Sequence, residues 1–186
     1  RKHDHVLLTL SGGMSLSFHD PRRFGLFLWI GDAVDTHPLL RALGPEPLDD
    51  LFTAEHLYHL SCRRSIPVKS FIMDNHVVVG VGNIYASETL FYTGIHPLLP
   101  AKNLTPLDCD MLRSTIRHIL GQAILRGGTT LRDFVNSSGN PGYFQQELMV
   151  YGRDGKPCRI CNSTLDLLRI AGRSTVFCPS CQPVRL

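Results

Sequence analysis

Four of the six cysteines stand in two tight pairs, Cys158-Arg-Ile-Cys161 and Cys178-Pro-Ser-Cys181, with sixteen residues between them. A CxxC knuckle directs two thiolates at one ion, and two knuckles complete the tetrahedron that zinc prefers. The spacer suits a β-hairpin that brings the knuckles together. With four thiolates in place no coordination position stays open, so the expected ion is a single structural Zn2+. The surrounding segment, roughly 35 residues long, holds too little apolar material to fold without such a staple. Between the knuckles Arg173 falls near the expected hairpin turn, where a guanidinium could reach a phosphate. Cys62 and Cys109 lie in helix-like segments and read as core thiols. The chain shows no secretion signal, which argues against disulfides and for a cytosolic address.

A second stretch with chemical potential runs from Met73 to Glu88, where an apolar run meets Gly80 and Gly82 and then a helix start. Asn83 reads as the N-cap, the two glycines let the backbone approach something closely, and exposed amides at that helix start would hold a phosphate oxygen.

The elements that must position these groups follow from pattern. Val6 to Leu10 and Met14 to Phe18 read as strands around the hairpin turn Ser11-Gly12-Gly13, and the apolar run Phe24 to Ile30 reads as a third strand. Helices are expected over Thr53 to Arg63, Val68 to Met73 and Asn83 to Tyr92, the last closed by Gly94. Thr105-Pro106-Leu107-Asp108 carries the signs of a capped helix start, and Leu112, Ile116, Ile119 and Ala123 then share one face. Gly127-Gly128 stops that helix. Leu131 to Val135 reads as a short helical turn, and Asn136 to Tyr143 as a polar, Gly/Pro-rich loop.

Composition is globular, with 43% apolar and 19% charged residues, and no apolar run approaches the roughly 18 residues of a membrane span. The net charge of +3 is unevenly spread. Residues 31–60 carry six acids and one base, whereas residues 151–186 carry six bases and two acids. A basic end on a near-neutral body points to a polyanion partner.

The stretch MDNxxVVGVGNIYASE, ending at Glu88, resembles the helix-two-turns-helix motif of the formamidopyrimidine-DNA glycosylase and endonuclease VIII family. Further motifs resemble that family in its order: Lys2-His3-Asp4-His5, Asp20-Pro21-Arg22-Arg23-Phe24-Gly25 and Leu43-Gly44-Pro45-Glu46-Pro47-Leu48. So do Gly127-Gly128-Thr129-Thr130-Leu131 with Asp133-Phe134, Gly142-Tyr143-Phe144, Val150-Tyr151-Gly152-Arg153 and the terminal zinc finger. The resemblance implies an α+β chain: the last strands of an N-terminal β-sandwich over 1–33, a helix-two-turns-helix DNA-binding domain over 34–147 with a lesion-capping loop at 136–146, and a zinc finger over 148–186.

It also implies roles. Asn83, Lys69, Arg64 and Arg173 match residues that contact DNA phosphates, and His3 matches a DNA-contacting histidine. Arg173 further matches the arginine assigned to a δ-elimination step. Arg22 and Phe24 match a loop that probes the duplex. The damaged base must leave the stack, an aromatic wedge then supports the neighbouring pair, and a guanidinium can hydrogen-bond the orphan base. Ser137, Ser138, Gly139 and Tyr143 match the loop over the flipped base.

The implied activity is that of a bifunctional glycosylase and AP lyase acting, as a monomer, on double-stranded DNA. It removes oxidised purines such as 8-oxoguanine and formamidopyrimidines, and nicks the abasic site by β,δ-elimination. Family members begin with Pro-Glu, whose proline amine is the nucleophile. The present chain begins at Arg1, so the 186-residue polypeptide is expected to bind damaged DNA without excising the base. A standalone zinc-ribbon DNA-binding module and an endonuclease VIII-type enzyme for oxidised pyrimidines are the alternative readings.

Overall fold

A computed structural model of the chain describes residues 2–32, 34–127 and 148–185. It divides into two compact units, Arg1–Arg41 and Ala42–Leu186.

The first unit is built on an antiparallel hairpin, β1 (Asp4–Thr9) and β2 (Ser15–His19). Leu7 pairs with Ser17 and Leu8 with Leu16, and an irregularity falls between Asp4 and Val6. The turn closes where expected, with the amides of Gly12 and Gly13 donating to the Leu10 carbonyl. The expected third strand over Phe24 to Ile30 is not formed. A strand exists only through a backbone partner, and this run has no ladder partner among the described residues. Its side chains face outward instead, Phe24 at 84% and Trp29 at 95% exposure.

The second unit is helical with a β-hairpin packed on it. Its helices are α1 (Ala54–Ser61), α2 (Val68–Ile72), α3 (Asn83–Tyr92) and α4 (Pro106–Leu125). Thr53 caps α1 by accepting from the His56 amide at 3.1 Å. Thr105 and Asp108 form a reciprocal capping box on α4: the Asp108 amide donates to the threonine hydroxyl, and the Thr105 amide donates to the carboxylate. The predicted α4 face of Leu112, Ile116, Ile119 and Ala123 is buried. Leu112 and Ile116 pack with Phe52, Leu57, Phe71, Ile72 and Leu90 into the main core, completed by α1, α2 and α3, while Ile119 and Ala123 pack with Leu148 in a smaller cluster. The buried stretch of α3 runs from Ala86 to Phe91 without a break, which makes it the central helix of the unit.

Two expectations change here. Cys62 is exposed, not in the core: it follows the last turn of α1, and its thiol turns back to donate to the Tyr58 carbonyl at 3.2 Å. Cys109 is buried as expected, and burial first, then the charge of Asp108, pushes its thiol up to about 12. Asn83 is the first residue of α3 and not its cap. The cap position belongs to Gly82, whose extended backbone offers the carbonyl that accepts from Ala86. The Asn83 amide is committed elsewhere, as described below.

The hairpin of this unit consists of β3 (Asp166–Ile170) and β4 (Arg173–Phe177), paired from Asp166↔Phe177 to Ile170↔Arg173. Ala171 and Gly172 form its two-residue turn, both with positive φ, 47° and 76°. That is the twist a tight antiparallel hairpin requires. Among the described residues no helix is long and apolar enough to cross a membrane.

Candidate metal centre and nucleic-acid interface

The β3–β4 hairpin carries the two cysteine knuckles to one place. The sulfurs of Cys158, Cys161, Cys178 and Cys181 all lie within 4.8 Å of one another. Cys158 is 3.9 Å from Cys181, and Cys161 is 3.4 Å from Cys178. A tetrahedral ion with Zn–S bonds of about 2.3 Å needs S···S edges of about 3.8 Å, so the four residues fit zinc. Backbone amides point at the knuckle sulfurs, Ile160 N at Cys158 and Cys181 N at Cys178, both at 3.4 Å. Such donors stabilise thiolates. Hydrogen bonds from Ser163 pull the Cys161 thiol down to about 6, whereas burial pushes the Cys178 and Cys181 thiols up.

The finger is fastened to the helices at several points. Phe91 of α3 packs among Val150, Leu165, Val176 and Cys178. The Gln182 side chain, buried, accepts from the Cys178 amide and donates to the Ile95 carbonyl. Arg185 reaches the Asp108 carboxylate at 2.7 Å.

Glu88 is the group that pattern reading missed. Its carboxylate is buried in α3 and accepts three consecutive amides: Met149 at 2.8 Å, Val150 at 3.0 Å and Tyr151 at 2.9 Å. Burial pushes the carboxyl up, and the three amides oppose that. The one charged residue of α3 was the available signal, because a buried charge requires partners.

At the tip of the hairpin three sequence-predicted residues converge. The Lys69 side chain, from α2, is buried, and its ammonium donates to the Thr175 hydroxyl at 2.7 Å and to the Ser174 carbonyl at 3.2 Å. The Asn83 side-chain amide donates to the same Ser174 carbonyl at 3.2 Å. Its Oδ1 is buried with no partner among the described residues. Arg173, one residue before Ser174, is exposed. Lys69, Met73, Ala171 and Arg173 line a concavity of about 140 Å³ between α2 and the turn. Burial, and secondarily the charge of Arg173, pushes the Lys69 ammonium down to about 8. Lys69 is therefore not on a solvated helix face: it forms the floor beneath Arg173. A Cβ placed on Gly80 or Gly82 would meet nothing within 4 Å, so the space before α3 is open to an incoming group.

The other predicted residues lie apart from this cluster. Arg64 is half-exposed and 3.7 Å from the Asp74 carboxylate, an ion pair of small energetic weight. In the first unit His3 adopts a left-handed φ of 81° and meets His19 edge-on at 6.2 Å. His19 in turn hydrogen-bonds Asp4 at 2.7 Å. The Arg22 guanidinium sits over the Phe24 ring, 5.5 Å from its centroid. Ser137, Ser138, Gly139 and Tyr143, with the turn expected at Leu131 to Val135, lie outside the described residues.

Known proteins match this arrangement. The formamidopyrimidine-DNA glycosylase H2TH domain matches residues 43–135, and the zinc finger found in FPG and IleRS matches residues 155–184. The chain is 53% identical over 182 residues to the formamidopyrimidine-DNA glycosylase of Methylococcus capsulatus, covering 98% of this chain and 67% of that protein. It is 57% identical over 180 residues to that of Marinobacter nauticus, covering 97% and 66%. The chain thus spans about two thirds of the length of these relatives. Among solved structures, the MutM (Fpg) protein of Thermus thermophilus superposes with a TM-score of 0.88 at 39% identity, over all of this chain and 71% of that one. The Lactococcus lactis Fpg in complex with DNA containing an abasic site gives 0.88 at 33% identity, over 99% and 68%.

Proposed function

This chain belongs to the formamidopyrimidine-DNA glycosylase family, and on that footing we propose that it is the DNA-gripping and lesion-reading part of a base-excision-repair glycosylase and AP lyase. Its substrate is duplex DNA holding an oxidised purine, 8-oxoguanine or a formamidopyrimidine, and it works in the bacterial cytoplasm on the chromosome. The cluster of Lys69, Asn83 and Arg173 carries this reading. Lys69 and Arg173 line an open concavity between α2 and the hairpin turn, and the Asn83 amide shares the Ser174 carbonyl with Lys69, an arrangement that suits a backbone phosphate. Asn83 is held on one side only, so its amide can exchange the Ser174 carbonyl for a phosphate oxygen. Arg173, exposed at the hairpin tip, takes the flanking phosphate and is assigned to the δ-elimination. Structural zinc supplies no chemistry of its own here: it fixes the tip that presents Arg173. Arg22 and Phe24, together in one exposed loop, read the gap left by the flipped base, the guanidinium at the orphan base and the ring as the wedge. The loop Asp20-Pro21-Arg22-Arg23-Phe24 favours the formamidopyrimidine branch over the endonuclease VIII branch.

Phosphate contacts set affinity without sequence preference. Arg173→Ala should therefore weaken binding to every duplex alike, and should lower the slope of log affinity against log salt by about 1. Fluorescence titration of labelled duplexes at several salt concentrations measures both. An unchanged slope would remove Arg173 from the interface.

Lys69 offers a second check. With its ammonium near 8 in the free protein, Lys69 is about half protonated at pH 8. A phosphate beside it favours the charged form and raises that value. Binding at pH 8 should therefore take up about half a proton, and affinity should fall as pH rises above 8. Calorimetry in buffers of different ionisation enthalpy reads the uptake, and Lys69→Met should abolish it.

A further inference from the structure

We infer that Asp20 is the positioning residue of the probing loop: its carboxylate fills the backbone nest of residues 22–25 and thereby holds Arg22 and Phe24 in their reading arrangement. This rests on the reading of Arg22 and Phe24 given above.

Both backbone groups of Asp20 and its carboxylate are used. Its amide donates to the His3 carbonyl at 3.0 Å, and its own carbonyl accepts from the His5 ring at 2.9 Å and from the Arg23 amide at 3.3 Å. Those bonds fasten the loop to the open end of the β1–β2 hairpin. The carboxylate faces the other way, into the loop, and accepts from the Gly25 amide at 2.6 Å. The amides of Phe24, Arg23 and Arg22 also act on it, after that of Gly25, and together they hold the carboxyl below its ordinary range. Arg23 completes the concavity by taking the left-handed region, at φ 54°. Consecutive amides around such a residue form an anion-binding nest. Here the anion belongs to the chain.

Gly25 fits the same account. A Cβ there would lie 2.8 Å from the Phe18 ring and 2.9 Å from the Asp20 carboxylate. A larger residue would push against both groups, so glycine lets the backbone come close enough for its amide to reach Asp20. The product of this folding is the stacked pair of Arg22 over Phe24, with the ring 84% exposed. A filled nest also has a chemical consequence. The Gly25 amide, which would attract any DNA phosphate, is already taken by the Asp20 carboxylate and the Arg23 amide by the Asp20 carbonyl, so the loop meets the duplex chiefly through the two side chains that discriminate.

The test uses the full chain and two duplexes, one intact and one with an abasic site, titrated with wild type, Asp20→Asn, Arg22→Ala and the double variant. Asparagine keeps the volume and one acceptor oxygen, so the hairpin is preserved while the charge is lost. Asp20→Asn should lower the ratio of abasic to intact affinity by about fivefold, with intact-duplex affinity unchanged or slightly raised. The double variant should discriminate no worse than Arg22→Ala alone, because both changes remove one device. A DNA-free readout accompanies this: in Asp20→Asn the Gly25 amide should exchange hydrogen about tenfold faster, while the β1–β2 amides stay as protected as in wild type. Wild-type discrimination in Asp20→Asn, full additivity with Arg22→Ala, or an unchanged Gly25 amide would each overturn the assignment. If Arg22→Ala itself kept the ratio, the role of Arg22 would fail, and the Gly25 exchange would still report whether Asp20 holds the loop.

Discussion

Stripping the zinc should cost the protein about 100-fold or more in affinity for duplex DNA while most of its helical signal survives. The loss has two parts. Without the ion nothing ties the four knuckle sulfurs together, and the finger has only a small apolar cluster, Val150, Leu165 and Val176 with Phe91 of α3, to hold it otherwise. It therefore unfolds. Arg173 then loses its place at the tip, and Lys69 and Asn83 lose the Ser174 carbonyl that orients them. Two charge-assisted contacts, at about 1.5 kcal/mol each, already amount to about two orders of magnitude. The core of α1, α2, α3 and α4 does not include the finger, so the far-ultraviolet helical signal should fall only slightly. Metal analysis should give one zinc per chain before chelation and none after, and titration on duplex DNA should show the drop. Metal-free protein that bound within threefold of the holoprotein would mean that the finger does not grip.

Glu88→Ala should destabilise the second unit by about 3 kcal/mol. The variant leaves three amides without an acceptor. Val150 is fully buried, so its N–H carries the whole penalty of an unpaired donor, whereas Met149 and Tyr151 are half-buried and partly recover hydrogen bonds from water. Glu88→Gln keeps one oxygen but turns an NH2 group toward the amides, so it should cost about 2 kcal/mol. Urea denaturation followed by circular dichroism measures both. A cost under 1 kcal/mol for the alanine variant would show that residues 149–151 are not fastened through Glu88.

The zinc site was legible in the sequence because its determinants are local: two CxxC knuckles and a spacer that can only double back. The start of α4 was legible for the same reason, since Thr105, Pro106 and Asp108 cap it within one turn. What could not be read depends on partners far along the chain. The Phe24–Ile30 run has the composition of a strand, but pairing is decided by a neighbour that composition does not name. Asn83 has the type of a cap, yet its amide goes to Ser174, 91 residues on. Lys69 matches a phosphate-contacting base, but its burial against Thr175, 106 residues away, could not be read locally. Glu88 drew no attention beside the glycines, because the amides that give it a purpose belong to residues 149–151.

The fastening of the finger onto the helices also sets an order of assembly. Lys69, Asn83, Ile95 and Asp108 leave the ribosome some 77 to 106 residues ahead of their partners Thr175, Ser174, Gln182 and Arg185. The helical lobe can collapse while it is being made, since its core closes without the finger. The grip cannot: it awaits the later residues and the capture of an ion by four reduced thiols. Closing loops of that length is entropically slow, so maturation of the DNA-binding face is a distinct, late event whose rate depends on free zinc. Cells starved of the metal would accumulate a compact, helical protein that has passed every folding step but the last and holds DNA only weakly.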